Sequence, residues 1–171
     1  MPNPEIQSGV TLRLPPHSKQ RLWRYGPLIL WAALIFIGSG DVLSAVHTSI
    51  VVRVARWLFP QASESTLATI HFVVRKGGHL TEYAILAWLS ARAFLTSSRE
   101  LFRRRWFWFA LLVVVVYALG DEFHQSFVPS RTGSIYDSMI DSAGGLTGLL
   151  IYRATRSRRR ANRPGENAHI D

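Results

Sequence analysis

The sequence predicts an all-α fold, namely a polytopic membrane helix bundle of four transmembrane helices with an additional amphipathic helix at the membrane interface. Hydrophobic residues make up 48% of the 171 residues although the formal net charge is +9, a combination typical of a small membrane protein. The apolar run Phe107–Leu119 includes four consecutive valines, as is typical of a membrane-spanning helix. The arginines cluster at the ends of such runs, where membrane topology explains them.

Local sequence features support the first, second and fourth spans as well. Pro27 is compatible with the first turn of the first helix, and Ser63 or Ser65 can cap a long second helix that no proline interrupts. Gly144 and Gly148 in the fourth helix have the small-residue spacing that permits close contact between membrane helices. The four spans are expected at about residues 25–39, 70–94, 106–125 and 137–153.

The stretch between Gly40 and Gln61 predicts a helix that lies at the interface rather than a further span. Arg53 and Arg56 lie opposite an apolar face whose residues recur at near-helical spacing. The residues of this face are Val42, Val46, Ile50, Val54 and Trp57.

The remaining segments are predicted to be tails. Residues 1–22 contain four prolines without an apolar core and are expected to form a disordered cytoplasmic tail. Residues 23–153 form the predicted transmembrane domain, whose first span serves as the insertion signal, and residues 154–171 form a basic disordered cytoplasmic tail. Cysteine is absent, which excludes disulfides, thiolate catalysis and cysteine-ligated zinc.

The positions of Lys and Arg predict the orientation. Fifteen of the 20 lie before the first span, around the loop between the second and third spans, or after the fourth span. These regions are expected on the cytoplasmic side, which places both termini there and the protein in the cell (inner or cytoplasmic) membrane as a multi-pass protein. Nucleic acid is not expected as a partner, because the basic residues do not line one helix face.

A polar block, Asp121-Glu122-Phe123-His124-Gln125, directly follows the third apolar run. Charge is costly in hydrocarbon, so its position at the end of a span indicates a function. A helix that begins at Trp106 on the inner side covers about 30 Å over 20 residues and brings this block to the outer boundary. Other polar residues are expected at the same depth, each set on one helix face or in the outer loop: Lys76, His79, Glu82 and Tyr83, Asp137 and Asp141, and Arg131.

Three segments of the chain resemble the VanZ-like family of membrane proteins. They are Lys76-Gly77-Gly78-His79-Leu80-Thr81-Glu82-Tyr83, the segment from Asp121 to Gly133, and the segment from Asp137 to Gly145. The resemblance covers about Tyr25 to Tyr152. It implies a multi-pass envelope protein, and the family's namesake is associated with resistance to the glycopeptide antibiotic teicoplanin. The chain has Ser130 where the family commonly has Gly and Asp141 where it commonly has Asn.

One interpretation of the polar residues is an outward-facing enzymatic site for a lipid-linked or cell-wall substrate that carries phosphate or carboxylate groups. The general acid and base would be Glu122 or Asp121 with His124, or Glu82 with His79, because a carboxylate can orient and charge an imidazole. Lys76 and Arg131 would bind the anion. The full set predicted to contact the substrate is Lys76, Tyr83, Gln125, Arg131, Asp137 and Asp141. The sequence identifies no cofactor.

Other interpretations stay open. Imidazole and carboxylate ligands could hold a divalent metal, although the chain has no His-Glu-x-x-His element. A transporter or proton relay would use the same groups, but four spans without an inverted repeat would require a homo-oligomer. A third alternative is a non-catalytic network that only stabilises the bundle. Membrane lipids are expected partners in every case. We expect one outward-open cavity lined by His79, Glu122, His124, Arg131 and Asp137.

Overall fold

The computed structural model describes residues 16–128 and 133–162, and within these ranges the chain forms helices and no strands. The all-α prediction is therefore confirmed for this part of the chain. The helices are α1 (Pro16–Gly38), α2 (Asp41–Leu58), α3 (Glu64–Leu95), α4 (Glu100–Arg104), α5 (Trp106–Gln125) and α6 (Ile135–Ala161).

Helix α3 begins where the sequence predicted a cap. The Ser63 hydroxyl accepts a hydrogen bond from the Thr66 backbone N–H at 3.2 Å, which satisfies one of the free donors of the first turn. With 32 residues, α3 is about 48 Å long and packs against α1, α2, α5 and α6. It is the central helix of the bundle.

Helices α1 and α6 extend beyond the predicted spans. Residues 16–22 and 154–161, assigned from the sequence to disordered tails, are helical. Proline is favourable in a first helical turn, as at Pro16, and the Arg and Ala residues of the α6 end are strong helix formers. Extending a helix that is already formed also costs much less than starting one. Residues 1–15 and 163–171 of the predicted tails lie outside the described residues.

The core contains many small residues, which allow the helix axes to approach closely. Alanines contribute much of it, and Tyr83, Leu86 and Leu149 are its largest fully buried apolar side chains. Gly144 and Gly148 confirm the predicted close contact. A Cβ atom at Gly144 would lie 2.8 Å from the Leu80 carbonyl oxygen, and one at Gly148 would lie 2.8 Å from the Ala84 carbonyl oxygen. These two glycines define the seam between α3 and α6.

Within the described ranges, α5 is the one helix long and apolar enough to cross a membrane by length and composition. The helices that contain the other predicted spans include charged residues such as Lys76, Glu82 and Asp141. The amphipathic helix predicted between Gly40 and Gln61 corresponds to α2.

Candidate functional site

Polar side chains of α3 and α6 pair at one end of the bundle. The Lys76 Nζ atom lies 2.5 Å from the Asp137 Oδ1 atom, and both side chains are partly exposed. About one turn further along each helix, the His79 Nδ1 atom lies 3.6 Å from the Asp141 Oδ1 atom. The Asp141 side chain is 2% exposed, so the second pair is deeper than the first. The two pairs therefore lead from the surface into the bundle.

Helix α5 contributes two buried carboxylates to the same region. The Glu122 Oε2 atom accepts a hydrogen bond from the Ser134 backbone N–H at 2.7 Å, and the Asp121 Oδ2 atom accepts one from the Gln125 Nε2 atom at 2.9 Å. Ser138 adds a link to α6, because its hydroxyl donates to the Ala118 carbonyl at 3.2 Å. These bonds connect the end of α5 to the beginning of α6.

Tyr83 lies below these pairs and is fully buried. Its ring centroid lies 6.3 Å from that of Tyr117, and its hydroxyl interacts electrostatically with Asp121 and Asp141. Three buried oxygens here have no hydrogen-bond partner among the residues described: the Tyr83 hydroxyl, Asp121 Oδ1 and Asp141 Oδ2. An unsatisfied buried polar group costs about 1–3 kcal/mol, so such a group is expected to have a role that offsets this cost.

Carboxylates outnumber cations in this cluster. The acids are Asp121, Glu122, Asp137 and Asp141, and the bases are Lys76 and His79. Electrostatic interactions connect the members across helices, because Glu122 interacts with Asp121, Asp137 and Asp141, and His79 interacts with Asp121, Asp141 and Glu82. Carboxylates beside an imidazole and an ammonium group can bind charged groups and transfer protons. We call these six residues together with Tyr83 the polar cluster.

His124 lies apart from the partners that the sequence suggested for it. Its ring packs on Phe36 of α1, with the ring centroids 4.3 Å apart, and its buried Nδ1 atom has no hydrogen-bond partner in the described part of the chain. Asp121 and Glu122 instead bond to Gln125 and Ser134. Successive helical residues are about 100° apart around the helix axis, so three residues bring His124 to about 60° short of a full turn from Asp121. This rotation directs His124 toward α1.

The imidazole–carboxylate pair in the structure is His79 with Asp141, whereas the sequence suggested His79 with Glu82. Glu82 still interacts electrostatically with His79, and its backbone carbonyl accepts a hydrogen bond from the Trp31 Nε1 atom at 2.9 Å. Arg131 and the rest of loop 129–132 lie outside the described residues, so the predicted cavity that includes Arg131 stays a prediction.

Two sets of contacts at the site were not predicted from the sequence, namely the links through Ser134 and Ser138 and the support from α1. Ser134 and Ser138 precede Asp141 by seven and three residues, a helical spacing that could have revealed their common face. Helix α1 also supports the site, since the Tyr117 hydroxyl donates a hydrogen bond to the Ala32 carbonyl. No sequence pattern specifies the backbone partner of Tyr117.

The described residues contain no group of three or more His, Cys, Asp or Glu side chains that could hold a metal ion. The side chains of the polar cluster can transfer protons and bind charged groups.

The fold and the polar cluster define an all-helical bundle protein with a buried, acid-rich site at one end. The chain belongs to the VanZ/LLP1 family, because the family model VanZ/LLP1 matches residues 25–156. This confirms the resemblance to VanZ-like proteins. No curated protein and no solved structure matches the chain.

Proposed function

We propose that this VanZ/LLP1 family member is a multi-pass protein of the cell membrane in which α1, α3, α5 and α6 are the four spans. The helix directions support this topology. Ala32 contacts Tyr117 and Phe36 contacts His124, so α1 runs parallel to α5. The ring pairs Tyr83–Tyr117 and Phe94–Phe109 make α3 antiparallel to α5. The contacts of Gly144 and Gly148 make α6 parallel to α3. Consecutive spans thus alternate in direction. The distribution of Lys and Arg supports the orientation in which both termini are cytoplasmic.

The exposed surface of the bundle also supports a membrane location. Only 28% of the apolar stretch of α5 is buried within the protein, whereas the core helix of a soluble protein would be mostly buried. Large apolar side chains such as Leu112, Val116 and Ile151 are exposed. Contiguous apolar surface of this kind is unfavourable in water and favourable against lipid tails.

Helix α2 has the exposure expected of an interfacial helix. Ala55 faces the protein, whereas Ile50, Val54 and Trp57 form an exposed apolar stripe. Such a stripe can enter the boundary between headgroups and acyl chains at the outer surface.

We infer that the polar cluster is an acid–base site that acts on a lipid-linked or other anionic envelope substrate on the extracytoplasmic side. The His79–Asp141 pair carries this inference, because a buried carboxylate beside an imidazole orients it and stabilises its charged form. His79 would exchange a proton with the substrate. Lys76, in the more exposed pair, would release Asp137 and bind an anionic group of the substrate instead. Arg131 would be the second cation that binds this group.

The proposed physiological consequence is envelope maintenance that contributes to tolerance of glycopeptide antibiotics. Family membership supports this proposal, as does the extracytoplasmic position proposed above for the polar cluster. The catalytic candidates are His79, Asp141 and Asp121, with Glu122 fixed by Ser134 as a positioning residue.

The test compares His79→Gln and Asp141→Ala with the control Thr81→Ala. Thr81 is exposed on α3 and its hydroxyl bonds only within its own helix, to the Gly77 carbonyl at 2.8 Å. We expect the two site variants to remain in the membrane with thermal unfolding close to that of the parent but to lose teicoplanin tolerance, while the control retains it. Folded site variants with full tolerance would refute the acid–base site.

A second candidate is a proton relay, which the unpartnered oxygens of Tyr83, Asp121 and Asp141 favour. Proton flux into liposomes that contain the protein would distinguish the two functions. The relay is supported if the parent protein conducts protons and Asp121→Asn abolishes this flux. It is excluded if liposomes that contain the parent protein remain impermeable to protons.

A further inference from the structure

A cavity of about 360 Å³ lies at the end of the bundle opposite the polar cluster, where α4 meets α5. Its volume is within the range of about 300–1,000 Å³ typical of ligand sites. Three arginines and three aromatic residues line it: Arg104, Arg105, Trp106, Phe107, Trp108 and Arg153. Arg153 comes from α6 and the others from the α4–α5 junction, so the fold brings together basic residues that are distant in sequence.

The cavity has a surplus of positive charge. The Arg104 Nη2 atom lies 2.7 Å from the Glu100 Oε1 atom, which partly neutralises that arginine. Arg105 and Arg153 are exposed and have no ion pair among the residues described. The planar guanidinium group offers several donors that match the oxygens of a phosphate. An anion with phosphate geometry is the chemical class that this cavity fits.

An exposed apolar lane leads away from the cavity along α5. Trp108 lines the cavity and is also the first residue of this lane, which continues at intervals of three or four residues on one face. Its further members are Leu112, Val116, Leu119 and Phe123. A ligand with a phosphate at one end and hydrocarbon at the other would occupy both features, whereas a soluble phosphate would leave the lane unused.

We propose that the cavity binds the phosphate group of an anionic phospholipid of the cytoplasmic leaflet, with an acyl chain along the α5 lane. The proposal rests on the membrane topology given under the proposed function. It is independent of the chemistry of the polar cluster, because the two sites lie at opposite ends of the bundle. The bound lipid would hold α4, α5 and α6 in a fixed position relative to the cytoplasmic surface of the membrane.

The test uses the full chain in detergent and measures bound lipid by native mass spectrometry, with phosphatidylglycerol and phosphatidylcholine offered separately. The cavity variant is Arg105→Gln with Arg153→Gln. The control, Arg103→Gln with Arg158→Gln, removes the same charge from exposed positions of α4 and α6 that do not line the cavity. Arg153→Gln alone is a second, milder cavity variant, and thermal unfolding checks each protein.

We expect phosphatidylglycerol affinity to fall about fivefold for each cavity arginine removed, since this is the usual effect of one basic residue near an anionic surface. The control should retain the parent affinity. Equal losses in both double variants, or equal binding of phosphatidylcholine by the parent, would refute a specific site. Displacement of the lipid by millimolar inorganic phosphate would refute the lipid assignment in favour of a soluble phosphate. Failure of the proposed topology would instead appear as parent protein that does not sediment with membranes, or as labelling of a Ser98→Cys variant by a membrane-impermeant maleimide in intact cells.

Discussion

The His79 imidazole faces the Asp141 carboxylate across the contact between α3 and α6, with Nδ1 and Oδ1 3.6 Å apart. This separation exceeds that of an ordinary N–H···O hydrogen bond, so the pair can tighten when the imidazole gains a proton or a substrate approaches. The Asp141 Oδ2 atom is buried and has no partner among the described residues. The pair therefore combines a group that exchanges protons near neutral pH with a carboxylate that water reaches poorly.

The glycine seam predicts a steric effect on stability. Gly144→Ala places a methyl group about 2.8 Å from the Leu80 carbonyl oxygen, a backbone atom that cannot move away cheaply. We expect a loss of about 1–3 kcal/mol in the free energy of unfolding, measured by denaturant titration in detergent. The control Thr147→Ala changes an exposed residue of the same helix and should leave stability nearly unchanged. Equal stability of parent and Gly144→Ala would contradict the close contact.

The Lys76–Asp137 pair should show strong energetic coupling. A double-mutant cycle with Lys76→Met and Asp137→Asn is expected to give a coupling energy of about 1–3 kcal/mol, because both side chains are largely shielded from water. The matched comparison is the exposed Arg56–Glu64 pair, whose 2.8 Å contact should contribute less than about 1 kcal/mol. Similar coupling energies in the two cycles would show that burial does not strengthen the first pair.

Tyr117 is predicted to attach α1 to the rest of the bundle. Tyr117→Phe removes the hydroxyl that donates to the Ala32 carbonyl and should cost about 0.5–1.5 kcal/mol, as for other hydrogen bonds of this type. Tyr152→Phe is the control, since the Tyr152 hydroxyl has no partner in the described part of the chain and its ring contact with Trp106 is retained. Thermal unfolding in detergent compares them, and identical midpoints would exclude the hydrogen bond as a stabilising contact.

The absence of cysteine makes the topology directly testable. Single substitutions Gln61→Cys, Ser98→Cys and Ser157→Cys place a thiol at exposed positions near three different helix ends. We expect a membrane-impermeant maleimide to label Gln61→Cys in intact cells, and to label the other two only after the cells are lysed. Labelling of Ser98→Cys in intact cells would invert or disprove the proposed arrangement.

The sequence predicted α1, α2, α3, α5, α6 and the Gly144–Gly148 contact because these depend on local periodicity. Helix α4 lies where a loop was predicted, because five residues are too few to show a helical pattern. The sequence also did not predict that Asp141 is the partner of His79. That choice depends on how α3 and α6 lie along one another, which tertiary packing decides. His124 illustrates the same limit, since a turn of about 60° around α5 directs it to Phe36 instead of to the carboxylates. The lengths of α1 and α6 were underestimated, because apolar residues indicate where a span lies but not where a helix ends.

The four-residue spacing of Gly144 and Gly148 has a consequence for the register of α6 against α3. A slide of one turn, about 5.4 Å, would bring Gly148 to Leu80 and preserve the fit of a glycine there. The same slide would move Asp141 toward Lys76 and leave His79 without its carboxylate. The slide would also bring the bulky Tyr152 to Ala84, where the Cβ of any other residue would lie 2.8 Å from a backbone carbonyl oxygen. The glycine contacts and the charged pairs therefore select the same alignment of the two helices.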